Sequence, residues 1–120
     1  MIVSSRKRRI FDGDPNLEGI EYLFVLGDED GIYGNILFEV TPWLALIHPR
    51  LSRCTKTTFA MLKKELFEIG RPLLFEKYKF DKAHFLTTNH AFVNALTDGK
   101  AKVEMEKISP GQTLYYYEAR

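Results

Sequence analysis

The stretch Arg50-Leu51-Ser52-Arg53-Cys54-Thr55-Lys56-Thr57 gathers three cations and three hydroxyls directly ahead of a helical repeat. A helix start presents unpaired N–H groups and a partial positive charge, which suits a phosphate. Ser52, Thr55 and Thr57 add hydroxyl donors, and Arg50, Arg53 and Lys56 add charge. The same residues also fit a capped, solvated helix start, and the sequence leaves both readings open. His48 precedes the stretch. An unperturbed histidine titrates near neutral pH, so His48 is a candidate general base, with a structural histidine at a strand end as the alternative. Glu39 is the second candidate base; its alternative is a solvent-facing strand position. Tyr115-Tyr116-Tyr117 could supply a proton donor or an aromatic wall, or reflect strand propensity alone. His84 and His90 fall on packing positions. No His, Asp or Glu spacing suggests a metal site.

The bulk composition restricts partners. A chain of 120 residues, 45% hydrophobic and 28% charged, fits one folded domain. A net charge of +1 gives no global field toward nucleic acid. Arg6-Lys7-Arg8-Arg9 could touch RNA, DNA or an acidic protein surface, but without interleaved aromatics it reads as a solvated arm, and nucleic acid is not expected. Cys54 is the single cysteine, which excludes an internal disulfide and fits a reducing compartment. No apolar run reaches the roughly 20 residues that span a bilayer, and no apolar region follows the basic run. These features predict a cytoplasmic protein without a membrane partner.

The elements that must position the candidate residues are legible from pattern. Residues 1–19 are polar, with Gly13, Pro15 and Gly19, and read as an arm or loop ahead of one domain over 20–120. Ile20 to Leu26 and Ile32 to Val40 read as a hairpin around the turn cluster 27–31. Trp43 to Ile47 is continuously apolar, as in a strand covered on both faces, and Pro49 is expected to end it. Phe59, Leu62, Leu66, Ile69 and Leu73 recur at spacings of three and four and predict a helix from Thr55. Gly70 and Pro72 predict a kinked or two-part helix running to about Tyr78. Ala83 to Thr88 reads as a strand. Thr88 or Asn89 can cap a short helix with Ala91, Phe92, Ala95 and Leu96 on one face, ended by Gly99. Residues 101–106 alternate as a half-buried strand, Pro110-Gly111 makes a turn, and Thr113 to Glu118 forms a closing strand. This order predicts an α/β (α+β mixed-sheet) fold of about six strands with two or three packed helices. An aromatic closing strand at the sheet edge could also make a homodimer contact.

That order resembles the GNAT acetyltransferase superfamily. Ile47-His48-Pro49-Arg50 looks like the step that ends the family's central strand. Ser52-Arg53-Cys54-Thr55-Lys56-Thr57 occupies the position of its pyrophosphate loop. Asn89, ten residues before Gly99, resembles the family's spacing at the helix before the last hairpin. The spacing from Glu76-Lys77-Tyr78 to Asn89 is similar to that in small GNAT-like proteins of T7-like bacteriophages. The resemblance covers about residues 20–118. It implies acetyl-CoA or CoA as ligand, held by Ile47, His48, Arg50, Ser52, Arg53, Cys54, Thr55, Lys56, Thr57 and Asn89. It implies backbone N–H groups at Ile47–His48 to polarise the thioester, and His48 or Glu39 as base for acetyl transfer to an amine. Three departures are visible. Arg53 and Thr55 stand where the family's loop has glycines. Leu96 stands where many members place a proton-donating tyrosine. The residues before 20 offer little for the family's N-terminal helices. These departures favour a second expectation, a catalytically inactive phage-encoded module that grips a host or virion protein.

Overall fold

The computed structural model describes residues 3–8, 19–41, 43–109 and 111–119. Seven strands form one sheet in the order β1-β2-β3-β4-β5-β7-β6. They are β1 (Val3–Arg8), β2 (Gly19–Asp28), β3 (Gly31–Val40), β4 (Ala45–Leu51), β5 (Lys82–Thr87), β6 (Lys102–Ser109) and β7 (Gln112–Glu118). Helix α1 (Lys56–Glu65) joins β4 to β5, and α2 (His90–Leu96) joins β5 to β6. All neighbours are antiparallel except β4 and β5, which run parallel across the α1 crossover. A mixed sheet with packed helices was the expectation.

Four local readings are corrected. Residues 3–8, read as part of a polar arm, form β1, a seventh strand that pairs with β2 from Val3↔Gly27 to Arg8↔Tyr22. Polar and basic residues suit an edge strand, which the hydrophobic pattern alone does not reveal. Residues 9–18 of that arm, and Pro110 of the expected turn, lie outside the described residues. The run Trp43 to Ile47 is not covered on both faces: Trp43 is 87% exposed in the β3–β4 turn, and β4 starts only at Ala45. Pro49 does not end β4 but sits inside it. Finally, β7 lies between β5 and β6 and has no free edge, so the expected dimer contact through the Tyr115–Tyr117 strand is withdrawn.

Pro49 fits because of strand polarity. Thr41 N–H bonds Leu44 C=O at one end of the β3–β4 pair and Ser52 N–H bonds Tyr33 C=O at the other. The register between them is unbroken. Alternation therefore aims the amides of Leu46, His48 and Arg50 at β3, and those of Ala45, Ile47 and Leu51 at β5. The missing N–H of Pro49 falls on the β5 side and takes no bond from the β3 ladder.

The helices pack on one sheet face. Tyr22, Phe24, Leu26, Ile36, Phe38 and Ile47 point there and are almost fully buried, as are Leu62, Leu66 and Leu74 from the helical segment. Past Glu65 the helix continues in wider π-helical turns over Leu66–Gly70 and Pro72–Lys77. Pro72 opens the last of these segments, and Arg71 before it keeps helical φ and ψ, so the expected kinked or two-part helix is one unbroken helical run to Lys77. Gly70 has a packing role. A Cβ there would meet the Phe38 ring at 2.5 Å, so the glycine lets the helix backbone lie on that ring. On α2 the core-facing residues are Val93 and Leu96. Among the described residues no helix covers the opposite sheet face, where Leu23, Leu37, Leu46, His48, His84 and Tyr116 are half-buried.

Candidate functional site

β4 and β5 are paired only at Ala45↔Ala83 and Leu46↔His84, although β4 runs on to Leu51 and β5 to Thr87. Beyond these two pairs the strands diverge. The gap opens into a cleft of about 550 Å³ on the helix side, lined by Pro49, Arg50, Leu51, Cys54, Phe59, Thr87, Thr88, Asn89, Ala91, Phe92 and Ala95. Phe59 of α1 and Phe92 of α2 meet with ring centroids 6.2 Å apart. Ala91 and Ala95 are small and exposed, so α2 turns a low wall to the opening. The floor is apolar and the rim carries Arg50, the exposed Cys54 thiol and Asn89. Such a composition suits an elongated ligand with an apolar arm and a charged end.

The loop from Ser52 to Thr57 is built differently from the expectation. Thr55 is the N-cap of α1, and it forms a reciprocal capping box with Thr58. Thr55 Oγ1 accepts from Thr58 N–H at 3.1 Å, and Thr58 Oγ1 accepts from Thr55 N–H at 2.9 Å while donating to Arg53 C=O at 2.9 Å. Outside glycine, only Lys79 and Asp98 among the described residues have positive φ, so the loop needs no left-handed residue at Arg53 or Thr55. Thr58, buried at the turn, does the shaping. Sequence reasoning passed over it. The signal was there as Thr-x-x-Thr, a weak form of the capping-box spacing.

The predicted ligand-holding residues separate into two groups. Arg50, Cys54 and Asn89 line the cleft. Asn89 also caps α2, its Oδ1 accepting from Phe92 N–H at 3.1 Å. The exposed Lys56 and Thr57 lie in the first turn of α1, where N–H groups have no intrahelical acceptor. Ser52 and Arg53 turn away. Ser52 Oγ donates to Tyr33 C=O at 3.1 Å. Arg53 pairs with Asp28 at 3.2 Å and lies 4.9 Å over the Tyr33 ring. Their side chains brace the loop against the β2–β3 hairpin. Thr55 is occupied as the cap. Of the two backbone donors expected at Ile47–His48, only Ile47 N–H points toward β5; His48 N–H points into the β3 ladder.

His48 and Glu39 come together on the open face, with Nε2 3.1 Å from Oε1. The pairing follows from register, since Leu37 faces His48 and Glu39 faces Leu46. Both side chains remain more than one-third exposed. Tyr115 points instead to the helix layer, where His90 Nδ1 lies 2.5 Å from its hydroxyl. Leu96 is fully buried in the core.

No family model and no curated protein matches the sequence. Solved structures do match its fold. One is a protein of Bacillus anthracis str. Ames described as a streptothricin acetyltransferase, in complex with acetyl-CoA, at a TM-score of 0.58 and 11% identity. That alignment covers 83% of this chain and 62% of the other, so the chain spans less than two-thirds of that protein's length. A GNAT family acetyltransferase of Elizabethkingia anophelis with acetyl-CoA bound gives a TM-score of 0.57 at 10% identity, covering 98% of this chain and 97% of the other. An acetyltransferase-like protein of Sphaerobacter thermophilus DSM 20745 gives 0.52 at 16% identity, covering 97% and 78%. The chain has the fold of GNAT acetyltransferases.

Proposed function

We propose that this chain is an N-acetyltransferase of the GNAT type that binds acetyl-CoA between the diverging ends of β4 and β5. The observation that carries the reading is the early end of the β4–β5 pairing, which opens the cleft beside the start of α1. Two of the structures that share the fold hold acetyl-CoA, which supports the same ligand here.

The pyrophosphate rests against the first turn of α1. Lys56 and Thr57 offer free N–H groups there, and Arg50 and Lys56 offer charge. The Thr55–Thr58 box reserves two other amides for the turn itself, so this cradle is narrower than a glycine-rich one. The pantetheine arm runs between the strands against Pro49, Phe59 and Phe92. The thioester then lies near Ile47, whose N–H can polarise the carbonyl.

A primary amine attacks the carbonyl carbon from the open face. A C–N bond forms, the C–S bond breaks, and the CoA thiolate leaves and takes a proton from solvent. With Nε2–H donating to Glu39, His48 keeps the lone pair of Nδ1 free for the amine proton. Glu39 orients the ring and stabilises the imidazolium.

Calorimetric titration with acetyl-CoA tests the reading. We expect saturable binding and a rise in melting temperature. Absence of both at millimolar ligand would remove it.

A second reading, a binding module without turnover, is favoured by Trp43. A ring this exposed, on a turn fixed by Thr41 hydrogen bonds to Trp43 N–H, Leu44 N–H and Leu44 C=O, fits the aromatic anchor of a protein contact. Affinity capture from bacterial lysate with the natural protein and a Trp43→Ala variant separates the two. Equal capture by both would discard the second reading.

A further inference from the structure

Among the described residues one buried side-chain polar atom has no hydrogen-bond partner, Nδ1 of His84. His84 sits on β5 between Ala83 and Phe85, which are buried in the helix layer, so it faces the open side of the sheet. Its register neighbours are Leu46 on β4 and Tyr116 on β7. Leu46 is in turn opposite Glu39 on β3. Glu39, Leu46, His84 and Tyr116 therefore make one transverse row on the open face. Strands lie about 4.8 Å apart, so Glu39 and His84 flank Leu46 at roughly 10 Å from each other. His48, two residues beyond Leu46, is diagonal to His84.

The burial of one ring nitrogen fixes what the other offers. A neutral imidazole carries a single N–H. Orphaned buried N–H groups are rarer than under-satisfied acceptors, so the proton belongs on Nε2, which is not among the buried atoms left without a partner. Adding a second proton would place an N–H in the partnerless position of Nδ1. Burial accordingly lowers the pKa of His84 below 6.5, with Lys82 pushing the same way and Glu104 opposing. Lys82 lies 4.5 Å over the Tyr116 ring and 3.8 Å from Glu104, so these charges are set to one side of the row. His84 is thus a donor with a fixed tautomer.

We infer that His84 reads the acceptor substrate, its Nε2–H bonding an ether, hydroxyl or carbonyl oxygen carried two or three bonds from the reacting amine. The amine then lies over Leu46 toward His48. This rests on the acetyl-transfer reading. It selects amines with a nearby oxygen over plain alkylamines of equal length.

The test uses 2-methoxyethylamine and butylamine, which differ by one oxygen for one methylene. The natural protein, His84→Phe and His84→Gln are compared. We expect a kcat/KM ratio favouring the methoxy amine by about tenfold, the value of one hydrogen bond of roughly 1.4 kcal/mol. The ratio should fall near one in His84→Phe and be largely kept in His84→Gln, which retains an N–H donor. Acetyl-CoA binding by calorimetry should be the same in all three. A preference unchanged in His84→Phe, with acetyl-CoA binding intact, overturns the role of His84 and leaves the transfer reading standing. Long-range ¹H–¹⁵N spectra of the imidazoles judge the role without turnover. We expect an Nε2–H tautomer at pH 6.5, and a shift of Nε2 on adding the methoxy amine in the presence of CoA but not on adding butylamine. An Nδ1–H tautomer, or equal response to both amines, overturns it.

Discussion

Replacing Thr58 by valine should loosen the anion-facing loop without leaving a hole. Valine has nearly the volume of threonine, so the buried site stays filled, but the hydroxyl is lost. Thr55 N–H loses its acceptor and Arg53 C=O its donor, along with the longer contacts of Thr58 Oγ1 to Thr55 C=O and Thr55 Oγ1. The cap itself stays, because the backbone N–H of residue 58 still reaches Thr55 Oγ1. Each group left unsatisfied costs about 1–3 kcal/mol when buried, and less where water can reach it, as at this partly exposed loop. The combined expectation is about 2–3 kcal/mol. For a domain of this size, roughly 4 °C accompanies each kcal/mol, so the melting temperature should fall by about 10 °C. Urea unfolding followed by circular dichroism measures the first quantity and differential scanning calorimetry the second. Thr57→Val is the control. Its exposed side chain makes no described hydrogen bond, and the change should stay within about 0.5 kcal/mol. If Thr58→Val also costs less than about 0.5 kcal/mol, Thr58 does not hold the loop and the account of how it dispenses with glycine fails.

Other perturbations follow from the same geometry. Gly70→Ala pushes a methyl group into the buried Phe38 ring and should destabilise the fold by about 1–3 kcal/mol in urea titrations. Glu39→Gln should lower kcat by about 10²-fold, within the usual range for general-base machinery, while the calorimetric affinity for acetyl-CoA is kept. His84 is held below its ordinary 6.5 by burial, so as pH falls through 6.5 the unfolded chain takes up a proton that the native chain does not. Stability should decline on acidification below that point, and His84→Gln should flatten that part of the profile. Cys54 is exposed and lines the cleft, so its alkylation by iodoacetamide, followed by mass spectrometry, should slow several-fold when acetyl-CoA is bound.

The elements that carry strong periodicity were legible in the sequence. The Phe59–Leu73 repeat gives the long helix, and Pro72 marks where its last part begins. The hairpin from Ile20 to Val40 and the strand beginning at Ala83 are equally plain. What escaped depends on directions that a linear pattern does not hold. Apolar residues at Trp43 and Leu44 look like strand, but the chain is still turning there. Pro49 reads as a terminator until the ladder shows that its missing donor faces an already open gap. β1 escaped because an edge strand needs no hydrophobic face. The site was half legible: the loop, Arg50, Cys54 and Asn89 lie beside the cleft, whereas Ser52 and Arg53 are drawn off by Tyr33 and Asp28. Side-chain competition of this kind, between a ligand role and a neighbour two strands away, is set by tertiary contacts. The Glu39–His48 pairing is likewise a consequence of register, and His84 could be read only once its two neighbours on the sheet were known.

The most direct measurement is a crystal structure of the protein soaked with acetyl-CoA. The account predicts density for the pantetheine arm between β4 and β5, with the pyrophosphate on the amides of Lys56 and Thr57 and the thioester near Ile47. An empty cleft at saturating ligand, or the cofactor bound elsewhere on the molecule, would contradict it.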